Sequence, residues 1–350
     1  MYETFFGFGA KPFQLNPDPS FLFGSRGHRR AMAYLEYGLH RGEGFIVITG
    51  EVGAGKTTIV RSLLERIDGN RIVTANITNT LLDAREVLRM VATAFGIPAR
   101  GPEKTDLLLA IETFLVKITS QGKRALLIVD EAQNLGPAAL EELRMLSNFQ
   151  LEDHSLLQSF LVGQPEFRSI MQSAGMRQLR QRVIATYHLG PLDAAETQAY
   201  VLHRLRRVGW KNDPKFDPAV FGRIFEYSGG VPRRINSLCD RLLLDACLAE
   251  RHEIGAGNAR AVIAELYGEF STLPAVTDGN EPPAAAGVVT NALREMTNEE
   301  APPGRLAADS LNRRLEARLS RVEQSVSAAL SVVNQLAQTI RREDNSESLR

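Results

Sequence analysis

The run GEVGAGKTT at residues 50–58 decides how this chain is read. It follows Phe45-Ile46-Val47-Ile48, an apolar run of strand type, and precedes Ile59-Val60-Arg61-Ser62-Leu63-Leu64, whose apolar positions suit a helix. Strand, glycine loop and helix are the context in which the spacing G-x-x-x-x-G-K-[ST] makes a phosphate-binding loop. Gly50, Gly53 and Gly55 allow backbone angles and close approaches that a Cβ blocks. The loop Gly50, Glu51, Val52, Gly53, Ala54, Gly55, Lys56, Thr57 and Thr58 then turns its N–H groups toward an anion at the positive end of the following helix. Lys56 is expected to meet β- and γ-phosphate oxygens, and Thr57 to give its hydroxyl to Mg²⁺.

Working outward, Ala125-Leu126-Leu127-Ile128-Val129 is apolar throughout, as a strand covered on both faces should be, and it ends in Asp130-Glu131. An α/β sheet gathers its ligands at such carboxyl ends. Asp130 is expected to hold Mg²⁺, and Glu131 to polarise an attacking water. Ser159 to Gly163 reads as a further strand, with Gln164 at its end as a candidate for the γ-phosphate or the water. Arg177, Arg180 and Arg182 precede a short strand, Val183 to His188, and suit an arginine finger reaching a neighbour's nucleotide. Arg233 and Arg234 open a helix at the end that disfavours cations, which points to a distant anion. The chemistry implied is ATP binding with Mg²⁺ and phosphoryl transfer to water.

The remaining chain sorts into segments. Residues 1–30 are an aromatic, proline-punctuated leader, expected to pack on the core or wall the base with one of its rings. Residues 31–190 read as the α/β core with a parallel sheet. Residues 191–270 read as an all-helical lid without strands. Residues 271–304 are rich in Pro, Ala and Gly and read as a disordered linker. Over 305–342, Leu315, Leu319, Val322, Val326, Ala329, Val333, Leu336 and Ile340 alternate steps of four and three, the seam of a coiled coil, followed by a disordered tail at 343–350. The chain of 350 residues carries 41 Lys and Arg against 41 Asp and Glu, so no bulk basic surface for nucleic acid is evident. A local basic stripe, Arg204, Arg206 and Arg207, is the one feature favouring it. Cys239 and Cys247 are separated by about 12 Å of helix, beyond disulfide reach, and read as thiols of a reducing cytosol. Neither a signal peptide nor a membrane-spanning run is evident, so a soluble cytoplasmic protein, peripheral at most to the inner membrane, is expected.

Together GEVGAGKTT, LLIVDEAQNL at 126–135, LVGQPEF at 161–167, RQLRQRV at 177–183 and SGGVPRRIN at 228–236 resemble the AAA+ ATPases of the general secretion pathway protein A (ExeA/GspA) type. The likeness covers about residues 1–270 and is greatest to the subfamily tied to exosortase (PEP-CTERM) and exopolysaccharide loci. It implies a P-loop NTPase core, a helical lid, and ATP hydrolysis between subunits of a homo-oligomer, a hexamer or another ring or filament. The coiled coil would help hold the subunits together. It also implies partners among inner-membrane secretion or polysaccharide-assembly proteins. In the family pattern Gln164 corresponds to sensor 1 and Arg233 to sensor 2, the finger is Arg180 or Arg182, and Asn76 matches a polar residue that restrains the catalytic glutamate. Transposition helper ATPases, which bind DNA, share a similar module and give the alternative function. A nucleotide-dependent switch or scaffold with the coiled coil as output is the other.

Overall fold

The computed structural model describes residues 1–271, apart from 79, 81, 99–102 and 153. The expected linker beyond residue 271, the coiled coil and the tail lie outside the described residues. In the leader, Tyr2–Phe6 forms α1, and Pro19–Phe21 forms a 3-10 turn capped by the Asp18 carboxylate. Next is α2 (Arg26–Arg41), whose first turn is capped by the Ser25 hydroxyl and which ends on Gly42 in a left-handed conformation. Then follow β1 (Phe45–Gly50), α3 (Lys56–Leu64), β2 (Ile72–Ile77), α4 (Ala84–Ala94), α5 (Lys104–Ser120) and β3 (Arg124–Val129). Asp83 and Glu86 form a reciprocal capping box at the start of α4. After β3 come α6 (Pro137–Leu146), the small hairpin β4 (Gln150–Leu151) and β5 (His154–Ser155), then β6 (Leu157–Gly163), α7 (Glu166–Gln172), α8 (Arg177–Gln181) and β7 (Val183–Leu189).

The five long strands pair in parallel, in the order β2-β3-β6-β1-β7. Strand alternation explains how the sheet is covered. Phe45, Val47, Leu127, Val129 and Leu161 face a core built with α4, α5 and α6. Ile46, Ile48, Leu126, Ile128 and Phe160 face the other way, onto α2 and α3. The strands β1 and β6, buried along their whole length, are central, and β3 beside them is buried except at Arg124, as the fully apolar runs require.

Beyond the sheet, α9 (Ala194–Arg207), α10 (Pro218–Ser228), α11 (Pro232–Leu248) and α12 (Ala256–Ser271) pack on one another. This region is not purely helical: β8 (Lys215–Phe216) pairs in parallel with β9 (Glu253–Ile254). Two-residue strands are too short to leave a periodic signal in the sequence. Both cysteines are free; Cys239 is buried in this helical cluster, and burial pushes its thiol pKa up, which keeps it protonated.

The leader, expected to pack on the core, meets it near Pro17 to Leu22, and its first aromatics pack on the helical region instead. Tyr2, Phe6, Phe8 and Phe13 belong to the apolar cluster of the helical region, together with Tyr200, Leu205, Ile235 and Leu242. The Tyr2 hydroxyl donates to Asp240 of α11, and the Gly9 N–H donates to the Val208 carbonyl at 2.9 Å. The aromatics seek the deepest apolar surface available, and here that surface is the lid. If so, Phe13, only 1% exposed, is a core residue. Phe13→Ala is expected to cost about 3–5 kcal/mol in urea unfolding, against about 0.5 kcal/mol or less for Leu15→Ala two residues on.

Candidate active site

The glycine loop runs from the end of β1 into α3, and three features of its backbone set the site. Gly53 has φ of +84° and Gly55 has φ of +98°, a region in which side-chain-bearing residues are strained. Both also lie where no Cβ fits. One on Gly53 would come within 2.2 Å of the Arg233 Cβ, and one on Gly55 within 2.7 Å of the His28 ring. The loop is therefore clasped between α11 and α2. The Arg233 N–H donates to the Gly53 carbonyl at 3.2 Å, so the first turn of α11 starts on the loop itself.

Lys56 is buried to 6% exposure and donates from Nζ to the Gly50 carbonyl at 2.7 Å and the Glu51 carbonyl at 3.0 Å. Burial pulls its pKa down, and the nearby Glu131 and Asp130 carboxylates oppose that pull without cancelling it. Thr57 Oγ1 donates to Asp130 Oδ2 at 2.9 Å. A hydroxyl and a carboxylate in contact at a helix start are hard oxygen donors, and the pair fits Mg²⁺.

Glu131 follows β3 with φ of +53° and ψ of +40°, a left-handed conformation unusual for a side chain of this size. The Thr80 hydroxyl donates to its carbonyl at 2.8 Å. Its carboxylate is held on one oxygen: Gln133 Nε2 donates to Oε2 at 2.7 Å, and Gln164 Nε2 donates to the same atom at 3.1 Å. Gln133 Oε1 in turn accepts the Gln164 backbone N–H at 2.9 Å, tying the ends of β3 and β6 together. Burial raises the Glu131 pKa, but the two amides and Lys56 outweigh it, and the group is held below the usual carboxylate range. It stands ionised, with Oε1 left to accept from water. Sequence reasoning missed Gln133; its only signal was a second amide two residues after the carboxylate. Asn76, expected to restrain Glu131, makes none of these bonds and lies exposed in β2. The side-chain bonds to the Glu131 carboxylate come from the two glutamines instead.

One cavity unites the loop residues Val52, Gly53, Gly55, Lys56, Thr57 and Thr58 with Glu131, Arg233 and, from the leader, Gln14 to Asp18 and Phe21 to Phe23. Of the leader rings, four are buried in the helical cluster, and Phe21 and Phe23, partly buried against the same cluster, also reach the cavity. Arg233 lines it; Arg234 does not. Arg180 and Arg182 are engaged by backbone carbonyls of their own chain. Arg180 donates from Nη1 to the Met171 and Ser173 carbonyls at 2.5 and 2.7 Å, closing the end of α7. Arg182 donates to the Ser147 carbonyl at 2.9 Å. The basic stripe is not a continuous surface feature: Arg204 is buried, Arg207 donates to the Ser20 carbonyl at 2.8 Å, and of the three Arg206 alone stands on the surface without such a bond among the described residues.

His28 was not singled out by its residue type. Its ring is buried beneath the loop, with Nδ1 2.7 Å from the Ser25 hydroxyl and a hydrogen bond to the Ala54 backbone. With the hydroxyl donating to Nδ1, the other ring nitrogen carries the proton toward the loop.

A parallel sheet in this order, a glycine loop after β1 and an acidic pair after β3 define the P-loop AAA+ fold. Residues 39–171 match the family described as an AAA domain. General secretion pathway protein A of Aeromonas hydrophila is 39% identical over 269 residues, 77% of this chain and 49% of that protein. The chain thus spans about half the length of that curated relative. Among solved structures, the Aeropyrum pernix ORC2 protein, in ADPNP and ADP complexes, superposes with a TM-score of 0.58 at 19% identity over 87% of this chain and 88% of that one. Drosophila ORC bound to DNA gives 0.56 at 14% identity over 89% and 82%. At such identities these structures share the fold. No helix among the described residues is long and apolar enough to cross a membrane.

The buried imidazole has a measurable consequence. Desolvation lowers the His28 pKa from 6.5 to about 4, so between those values the unfolded chain binds the proton and the folded one does not. Stability is therefore full above pH 6.5 and is lost as pH falls toward 4, by about 3 kcal/mol in all from this group. Urea unfolding at pH 7 and pH 4.5 is expected to show a smaller acid loss in His28→Gln than in the wild type; equal losses would assign the pH dependence elsewhere.

Proposed function

We propose that this chain binds ATP with Mg²⁺ and hydrolyses it at interfaces between copies of itself. The observation that carries the reading is the convergence of Lys56, Thr57, Glu131 and Arg233 on one cavity, with Asp130 bonded to Thr57. The loop N–H groups and Lys56 would receive the phosphates, and the leader segment from Gln14 would flank the nucleoside. Thr57 and Asp130 would hold Mg²⁺, which when bound neutralises phosphate charge. Glu131, ionised and fixed through Oε2, would orient the attacking water through Oε1, and Gln164 would keep it so oriented. Phosphoryl transfer depends mostly on such positioning and fixed charge.

Of the three candidate arginines, Arg177 is the finger this reading prefers over Arg180 and Arg182. Their guanidiniums serve backbone carbonyls of their own subunit, whereas Arg177 is exposed, and its guanidinium has no hydrogen bond or ion pair among the described residues. A homo-oligomer, a ring or a filament, follows from a finger acting in trans. The likeness to a general secretion pathway protein supports hydrolysis driving or regulating assembly of an envelope secretion or exopolysaccharide export system at the inner membrane. A locus linked to exosortase is the narrower form of that proposal.

In the purified chain, Lys56→Ala is expected to abolish nucleotide binding. Glu131→Gln should bind ATP but turn over at least about a hundredfold more slowly. Arg177→Ala should lose about a thousandfold in turnover. Mixing Arg177→Ala with Lys56→Ala should restore measurable hydrolysis, because the Lys56-bearing subunit then receives Arg177 from its neighbour. A mixture as inactive as its components would place no finger at Arg177. In the cell, a Glu131→Gln replacement that leaves secretion and polysaccharide export unchanged would overturn the assigned process.

A further inference from the structure

Arg204, on the lid helix α9, is a guanidinium only 5% exposed, and it makes no ion pair with a carboxylate among the described residues. Removing a guanidinium from water is expensive unless its donors are used. Here they are used on the leader backbone: Nε donates to the Pro12 carbonyl at 2.6 Å, and Nη2 donates to the Gln14 carbonyl at 2.9 Å. The Phe21 ring lies under the cation at 4.5 Å. The two carbonyls bracket Phe13, which is sunk in the helical cluster, and from Gln14 onward the chain lines the cavity.

Two more arginines hold the same segment, again by backbone carbonyls. Arg61 of α3, the helix that starts at the glycine loop, donates to the Pro17 carbonyl at 2.7 Å. Arg207 donates to that of Ser20. Residues 12–20 are thus shaped from both sides, by the lid through Arg204 and Arg207 and by the core through Arg61. Carbonyls so engaged fix the course of the chain whatever side chains it bears. The Gln14 and Asp18 side chains are also occupied, bonded to each other at 3.0 Å.

We propose that Arg204 is a positioning residue for the nucleoside half of the substrate: it holds residues 12–18 in the form that walls the base and ribose, and so sets affinity for a nucleoside triphosphate while leaving the phosphate end to the glycine loop. This inference rests on the ATP-binding reading above. It also accounts for the arginine the sequence offered as part of a nucleic-acid stripe.

The test uses the full chain and compares two ligands, Mg-ATP and inorganic tripolyphosphate, each competing with a fluorescent ATP analogue. In Arg204→Met the dissociation constant for ATP should rise about tenfold, the loss expected of hydrogen bonds to a charged group, while that for tripolyphosphate stays within about twofold. Arg204→Lys should recover only part of the loss, since one ammonium cannot reproduce the fork on two carbonyls. At saturating ATP, turnover should remain near wild type, so KM moves and kcat does not. Arg61→Met, at an exposed position, checks the other end of the segment without disturbing the lid core and should weaken ATP about threefold, again sparing tripolyphosphate. Unchanged ATP affinity in both variants, or equal weakening of both ligands, overturns the inference. Failure of the wild type to bind ATP, or wild-type binding by Lys56→Ala, would instead sink the underlying reading.

Discussion

The rest of the structure depends on the absence of side chains at Gly53 and Gly55. Their missing Cβ atoms allow α11 to begin against the loop from one side and His28 of α2 to press on it from the other. Phosphate loops are usually discussed for what they offer a ligand. Here the same bare backbone is also where the lid meets the core, through the bond from Arg233 N–H to the Gly53 carbonyl. The loop therefore joins two jobs: presenting N–H groups to an anion and serving as the seat of the lid.

How much of this was legible in the sequence follows from the range of each interaction. The loop, β1, β3 and the acidic pair are local patterns with strict spacing, and they appear in the fold where their residues implied. That the sheet is parallel was legible in its apolar strands, but its order, with β6 between β3 and β1, is set by crossovers that no local pattern specifies. What escaped were contacts set by three dimensions. No periodicity says that Arg180 will meet the carbonyls at the end of α7, or Arg182 that of Ser147. An arginine written in a cluster reads as surface charge, and burial against backbone carbonyls is invisible until the chain is folded. Gln133 was missed for a related reason, because amides between a strand and a helix pass as turn residues. The surface that buries the leader's first rings escaped too, because aromatics announce burial without naming it.

The placement of the leader's first aromatics changes what counts as the lid. Its apolar cluster contains Tyr2, Phe6, Phe8 and Phe13 alongside residues of α9 to α12, so the two ends of the described chain form one packed unit with the sheet between them in sequence. Folding of that unit requires contacts of high sequence separation, whose loop-closure entropy slows folding. The cavity wall contributed by residues 14–18 is the stretch where this unit returns to the core.

The left-handed backbone at Glu131 carries its own implication. Holding such a residue at φ of +53° costs about 1–3 kcal/mol, a strain that glycine or asparagine would largely relieve. Any process that rewards thermal robustness alone, whether a laboratory screen or relaxed selection after duplication, is thus drawn toward those residues at this position. A drifted copy would keep its fold, its glycine loop and its lid, and would shed the backbone strain at the cost of the two amide bonds that Gln133 and Gln164 give the carboxylate. The carboxylate is thus kept at this position against a standing backbone cost, and the two glutamines are what offset it.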